Sequence, residues 1–287
     1  MYDWDDCAKN PKPAIINVCL TGMIPTKLDN AKTPITAVEI ANDVKDCAKE
    51  GAALFHVHAR DNREVPTYKK EVYENIIAKI KEENDDVIIC VSTSGRNFNE
   101  FEKRSQVLEV DGDLRPDMAS LTLGSLNFPQ QASVNDPQML QDLAKKMKDN
   151  GIKPELEVFD TGMINYSKYL IKKGILEPPF YYNILLGSLG SAEANPIILS
   201  HMIEMLPENS YWAVAGIGNY QLYANCLGLA MGGGVRVGLE DNIYYDRDKK
   251  EYASNMNLVE RIIRIIKSMG RELATPEYVR DILQLGG

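Results

Sequence analysis

The chain has 287 residues, 44% of them hydrophobic and 25% charged, a globular composition that excludes a disordered, collagenous or disulfide-scaffold protein. Lys and Arg number 32 against 41 Asp and Glu, for a net charge of −9, which disfavours nucleic acid and anionic membranes as partners. The five cysteines form no C-x-x-C pair, the start is polar and acidic, and no apolar run approaches ~18 residues, so the expectation is a cytoplasmic chain with reduced thiols and no membrane span.

Short β-rich runs alternate along the chain with segments of helical periodicity. Strands are predicted over 14–20, 53–58, 87–92, 118–121, 153–158, 181–186, 211–215 and 234–237, the last extending toward Glu240. The helices between and after them are predicted over 36–50, 69–84, near 98–108, 137–150, 161–173, 195–206, 220–231 and 255–269. Thr36 reads as an N-cap and Gly151 as a C-cap. Eight βα units in succession without a long linker predict one closed α/β domain over 1–287, a (β/α)8 TIM barrel with a short N-terminal extension, rather than two doubly wound halves.

Two of the three histidines form His56-Val57-His58 at the end of the second strand. Alternation puts both on one face, inward and near the C-terminal mouth where barrel active sites lie. They read either as half of a divalent metal site, zinc being the best match, or as a hydrogen-bonded core pair. At the end of the eighth strand stands Arg236-Val237-Gly238-Leu239-Glu240-Asp241-Asn242. If the strand stays extended, Glu240 faces inward beside the first strand and completes a His-His-Glu set with an open fourth position. The alternative makes Glu240 a surface carboxylate and Asp241 a turn cap. Asp241, held ionised by Arg236, is placed to act as a base toward an α-proton.

Ser92-Thr93-Ser94-Gly95 and Ser120-Leu121-Thr122 end the third and fourth strands at the same mouth, where their hydroxyls suit a carboxylate or an oxyanion, or a helix N-cap. Glu155 and Glu157 share a face of the fifth strand, and an inward carboxylate there needs a partner. Neither Gly216-Ile217-Gly218 nor Gly232-Gly233-Gly234 has the spacing of a phosphate loop. The first reads as a tight βα turn where a long cofactor tail can pass, the second as a helix stop. His201 reads as a surface residue.

Taken in order, Leu20-Thr21-Gly22, His56-Val57-His58-Ala59-Arg60, Val91-Ser92-Thr93, Gly124-Ser125-Leu126-Asn127-Phe128, Pro154-Glu155-Leu156-Glu157 and Arg236-Val237-Gly238-Leu239-Glu240-Asp241-Asn242 resemble the beta-keto acid cleavage enzymes, a family of (β/α)8 barrels. The resemblance covers nearly the whole chain. It implies a CoA-dependent, Claisen-type exchange in which a 3-keto acid and acetyl-CoA give acetoacetate and a new acyl-CoA. By similarity, His56, His58 and Glu240 match the ligands of a zinc ion that polarises the keto oxygen. Asp241, oriented by Arg236 and aided by Glu157, matches the group that deprotonates the keto acid. Ser92, Gly95, Ser120 and Thr122 match positions that contact the substrate's carboxylate and keto groups. The resemblance further implies a homotetramer.

Two departures bear on specificity. The member that cleaves 3-keto-5-aminohexanoate has a Glu for the substrate ammonium, and here Ile24 follows Thr21-Gly22-Met23; that member's Asn is replaced by Thr122. The apolar Met23-Ile24-Pro25 wall predicts an uncharged substrate tail, and no arginine for a second carboxylate is evident near it in sequence. The competing readings are another metal-dependent barrel aldolase or hydrolase that needs no CoA, and a non-catalytic metal or acyl-CoA binder, which the presence of Arg236, Glu240, Asp241 and Ser92 argues against.

Overall fold

The computed structural model describes residues 3–286. After a short helix α1 (Trp4–Lys9), β1 (Ile16–Cys19), α2 (Ala37–Glu50), β2 (Leu54–Val57), α3 (Lys70–Glu83) and β3 (Ile88–Val91) follow in regular alternation. Next come α4 (Phe101–Arg104), β4 (Met118–Thr122), a hairpin of β5 (Leu126–Asn127) and β6 (Ala132–Ser133), α5 (Pro137–Asp149), β7 (Lys153–Val158) and α6 (Thr161–Lys172). The chain continues through β8 (Phe180–Leu186), α7 (Pro196–Met205), β9 (Ser210–Gly216), α8 (Gln221–Ala230), β10 (Gly234–Val237), α9 (Asn255–Ser268) and α10 (Pro276–Leu283). All strands but β5 and β6 join one closed parallel barrel in the order β1-β10-β9-β8-β7-β4-β3-β2, the (β/α)8 fold expected from the sequence.

Local chemistry fixes the helix starts. Thr36 and Glu39 form a reciprocal capping box on α2, and Ser254 and Asn257 do the same on α9. Asp136, Asn195 and Thr275 cap helices that begin with proline, whose missing N–H costs nothing at the first position. Apolar stripes on these helices then pack against the outward faces of the strands, which are buried on both sides.

The barrel interior is layered. Ile15, Leu54, Ile88, Met118, Tyr181 and Ala213 fill its floor, and Val279 and Leu283 of α10 close it from below. The layer above is polar, because the inward positions there are Asn17, His56, Glu155, Asn183 and Arg236, each 1% exposed or less. Strand register sets them side by side: Asn17 stands opposite Arg236, and Cys19 opposite His56.

The structure departs from the sequence reading in several places. The segment predicted as a helix near 98–108 is a single turn, α4, followed by a 3-10 turn over Gln106–Glu109. Arg104 is responsible: it is buried, donating to the Thr93 carbonyl at 2.9 Å and to Asn135 Oδ1 at 2.7 Å, which pulls the backbone onto the barrel. The last strand stops at Val237, and a turn closed by Asp241 N–H and Asn242 N–H on the Gly238 carbonyl replaces the expected extension to Glu240. The sequence reading also passed over α1, the β5–β6 hairpin and α10. The last had a signal, a Thr cap before Pro276 with Val279 and Leu283 four residues apart.

Candidate active site at the barrel mouth

A cavity of about 740 Å³ opens at the C-terminal ends of the strands, lined at its inner end by His56, His58, Glu157, Arg236, Glu240 and Asp241. His56 points inward from β2, and Glu155 of β7 accepts a hydrogen bond from its Nδ1 at 2.7 Å. Asn17 Nδ2 and the Cys90 thiol hold the same carboxylate at 2.6 and 3.3 Å. A carboxylate on Nδ1 fixes the ring tautomer and turns Nε2 toward the cavity, the arrangement typical of metal-binding imidazoles. Burial alone would lower the His56 pKa, but the charges of Glu155 and Glu240 lift it to about 9. Burial would raise the Glu155 pKa, but His56, Arg236 and Asn17 together pull it down to about 2.

Glu240 reaches this point by a route that needs two glycines. The turn after β10 brings its side chain against Gly22, where φ is +67° and a Cβ would lie 2.5 Å from Glu240 Cγ. At Gly238 a Cβ would run into the Cys19 carbonyl of the adjoining strand. Any side chain at either position displaces the carboxylate.

His56 Nε2 and His58 Nε2 lie 3.1 Å apart, and the Glu240 oxygens lie 3.4 Å from His58 Nε2 and 3.9 Å from His56 Nε2. Two nitrogens about 2.0 to 2.1 Å from one tetrahedral zinc stand roughly 3.3 to 3.4 Å apart, so the set fits such an ion. Glu240 Oε2 is buried with no hydrogen-bond partner among the described residues, and an ion between the rings would satisfy it. Burial depresses the His58 pKa, which keeps its ring neutral and able to donate a lone pair. A second group, His56, Cys90 and Glu155, also brings ligand atoms close together. There the short His56–Glu155 hydrogen bond occupies the donor atoms, so that group supports the first rather than forming a rival site.

Arg236 is the electrostatic centre. It is 1% exposed and donates to Glu157 Oε1 at 3.0 Å, Glu240 Oε1 at 2.7 Å and Asp241 Oδ2 at 3.1 Å. One guanidinium thus holds three carboxylates in fixed geometry, using the fork that lysine lacks. Asp241 also accepts the Cys19 thiol at 3.1 Å. Burial raises the Asp241 pKa despite Arg236, and it raises that of Glu157, whose Oε2 accepts a 2.6 Å hydrogen bond from Thr122. Burial opposes ionisation of Glu240 too, but Arg236 and the two histidines hold its pKa well below the usual carboxylate range.

Ser92, Thr122 and Ile24 line the same cavity, Ile24 beside Met23 and Pro25 as the sequence suggested. Gly95 and Ser120 do not line it. Ser120 is buried and engaged with Thr93, whose N–H donates to Ser120 Oγ and whose Oγ1 donates to the Ser120 carbonyl. Gly95 is buried against Arg104, where a Cβ would lie 2.6 Å from Nη1. Ile217 and Gly218 border the cavity at the turn after β9, while Gly232 to Gly234 end α8 and start β10 away from it. His201 is exposed on α7. Sequence reasoning missed Arg96 and Phe128, which line the cavity together: the Arg96 guanidinium lies 3.6 Å from the Phe128 ring centre. The cavity wall does therefore contain an arginine that the sequence reading did not place there, carried by the loop after β3.

The sequence profile of the beta-keto acid cleavage enzyme family matches residues 13–285. The chain is 39% identical, over 94% of its length and 97% of the relative's, to a 3-keto-5-aminohexanoate cleavage enzyme of Fusobacterium nucleatum. It is 33% identical, over 96% and 95%, to a 3-oxoadipate:acetyl-CoA acetyltransferase of Cupriavidus necator. Among solved structures it resembles ObcA, with a TM-score of 0.79 at 19% identity over 89% of this chain and 66% of that one, a likeness of fold. With a profile match over nearly all of its length and relatives above 30% identity, the chain belongs to the beta-keto acid cleavage enzyme family.

Proposed function

We propose that the protein converts a 3-keto acid with an uncharged tail and acetyl-CoA into acetoacetate and a new acyl-CoA. The observation that carries this reading is the joining of a His56-His58-Glu240 set to a base candidate, Asp241, through Arg236 in one cavity. A divalent ion held by those three ligands, zinc on the donor chemistry, would draw electron density from the substrate's keto oxygen. Asp241 removes a proton from the carbon between the two carbonyls, its lone pair aimed by Arg236. The carbanion attacks the acetyl thioester and expels CoA as its thiolate, the thiolate adds to the former keto carbon, and cleavage of the old carbon–carbon bond leaves a carbanion that takes back the proton held by Asp241 to give acetoacetate. Glu157 keeps Arg236 in place on the side away from Asp241, and Thr122 fixes Glu157. The Ser92 hydroxyl is available to the substrate, whereas Gly95 and Ser120 act from behind it as backbone support.

Mass spectrometry of the protein with a panel of 3-keto acids, acetyl-CoA and Zn²⁺ tests the reaction. Acetoacetate and acyl-CoA in equal amounts are expected. Consumption of the keto acid at the same rate without acetyl-CoA would instead identify an aldolase or hydrolase.

For the tail, Ile24 presents a half-exposed, branched apolar side chain that offers an ammonium no charge of its own. The wild type is expected to prefer 3-ketohexanoate over 3-keto-5-aminohexanoate, and Ile24→Glu to move the ratio of kcat/KM toward the amine by roughly tenfold or more. An unchanged ratio would assign tail recognition to another residue. We further propose one homotetrameric assembly of this chain in the cytoplasm; no helix among the described residues is long and apolar enough to cross a membrane. Light scattering is expected to give about four times the 32.1 kDa chain mass, and a monomer mass at micromolar protein would refute the tetramer.

A further inference from the structure

Three cationic side chains border the cavity among the described residues: Arg236, Lys249 and Arg96. Arg236 is committed to three carboxylates, and Lys249 is exposed on the outer rim, 5.8 Å from the Tyr244 ring. Arg96 is different. It is half-buried, its guanidinium makes no hydrogen bond or ion pair among the described residues, and it lies over the Phe128 ring. Stacking covers one face of a guanidinium and leaves its N–H edge free to take a planar anion by two parallel hydrogen bonds.

The loop that carries Arg96 is built to hold it still. Its backbone N–H donates to Ser94 Oγ at 3.3 Å, and Gln131 Nε2 of the β5–β6 hairpin donates to its carbonyl at 3.0 Å and to Asn97 Oδ1 at 3.3 Å. Phe128 is braced in turn by an edge-on contact with Phe159, 5.9 Å between ring centres. Ser92 and Ser94 line the same cavity. A guanidinium and two hydroxyls lining one cavity are the parts of a carboxylate receptor in chemical terms.

We infer that Arg96 binds the carboxylate of the 3-keto acid, the group every substrate of this class shares, and so positions the keto end toward the His-His-Glu set. The inference rests on the function proposed above. CoA phosphates are the other anion of that reaction. A guanidinium fork also suits a phosphate, and KM for acetyl-CoA in Arg96→Met separates the two anions. The tail end of the cavity remains to Met23, Ile24 and Pro25.

Calorimetry on the metal-containing protein as purified tests the inference with acetoacetate and its neutral isostere acetoacetamide, in wild type, Arg96→Lys and Arg96→Met. Wild type is expected to favour acetoacetate, Arg96→Met to lose roughly 10- to 100-fold of that preference, and Arg96→Lys to keep part of it. In turnover, KM for 3-ketohexanoate is expected to rise by a similar factor in Arg96→Met, with KM for acetyl-CoA within about threefold of wild type. Equal losses in both variants with an unchanged preference for acetoacetate would make Arg96 a clamp for the Phe128 hairpin and overturn the inference. So would a rise confined to KM for acetyl-CoA that disappears with acetyl-N-acetylcysteamine, which lacks the phosphates. A wild-type preference for 3-oxoadipate that Arg96→Met abolishes would assign Arg96 to the tail and also overturn it. If wild type turns over no 3-keto acid, the proposed reaction fails, while the acetoacetate-to-acetoacetamide ratio still reads Arg96 independently.

Discussion

Replacing His58 with alanine is expected to empty the proposed metal site and to lower kcat/KM on the order of 10³-fold while leaving the barrel folded. His58 contributes Nε2 to the ligand set, 3.1 Å from its partner on His56, and its Nδ1 makes no hydrogen bond among the described residues. No protein polar group other than Glu240 and His56 therefore loses a partner when the ring is removed, and the space left opens into the cavity. Elemental analysis of wild type and variant measures the effect directly. Equal metal content in the two would place the ion elsewhere, and normal activity without metal would refute metal-assisted chemistry at this site.

Asp241→Asn is expected to leave metal content and substrate KM nearly unchanged and to reduce kcat by about 10²- to 10⁴-fold, the usual contribution of a single general base. The variant is a stringent one because the backbone of Asp241 has its own duties: its carbonyl accepts Gly218 N–H at 2.8 Å and its N–H bonds the Gly238 carbonyl. Asparagine preserves both, and it still offers an oxygen to Arg236 and the Cys19 thiol. What it removes is the proton acceptor. A kcat within roughly tenfold of wild type would reduce Asp241 to a turn residue, and loss of metal would mean that it acts through Glu240.

The histidine pair was legible because a strand has a two-residue period and the chain has only three histidines, so His56 and His58 could share only one meaningful face. Glu240 was placed beside them for a reason that the structure replaces. The sequence reading required an extended strand, whereas a turn at Gly238 and the absence of a side chain at Gly22 carry the carboxylate to the same point. Glu155 was readable as an inward carboxylate in need of a partner, but nothing in its own segment named that partner as His56 across two intervening strands. Arg96 and Phe128 lay beyond reach: both sit outside the barrel strands, in segments without periodicity, and their contact depends on a hairpin of four paired residues that propensity does not register. The barrel itself was the easiest inference, since alternation of eight strands and helices leaves few other closed arrangements.

The polar layer is completed across the junction of β1 with β10, whose register sets Asn17 against Arg236. Asn255 clasps that junction, donating to the Leu20 carbonyl at 3.0 Å and accepting Leu239 N–H at 2.9 Å. In folding terms this is the joint with the largest sequence separation in the barrel, and closing a chain loop of that length is among the slowest steps available to it. His56 and His58 lie on one side of the joint, and Arg236, Glu240 and Asp241 on the other. The proposed ligand set thus comes together only in a chain that has closed its circle. Metal uptake and activity after refolding are therefore clocks for ring closure, and both should lag behind recovery of helical signal, which the local βα units can supply before the ends meet.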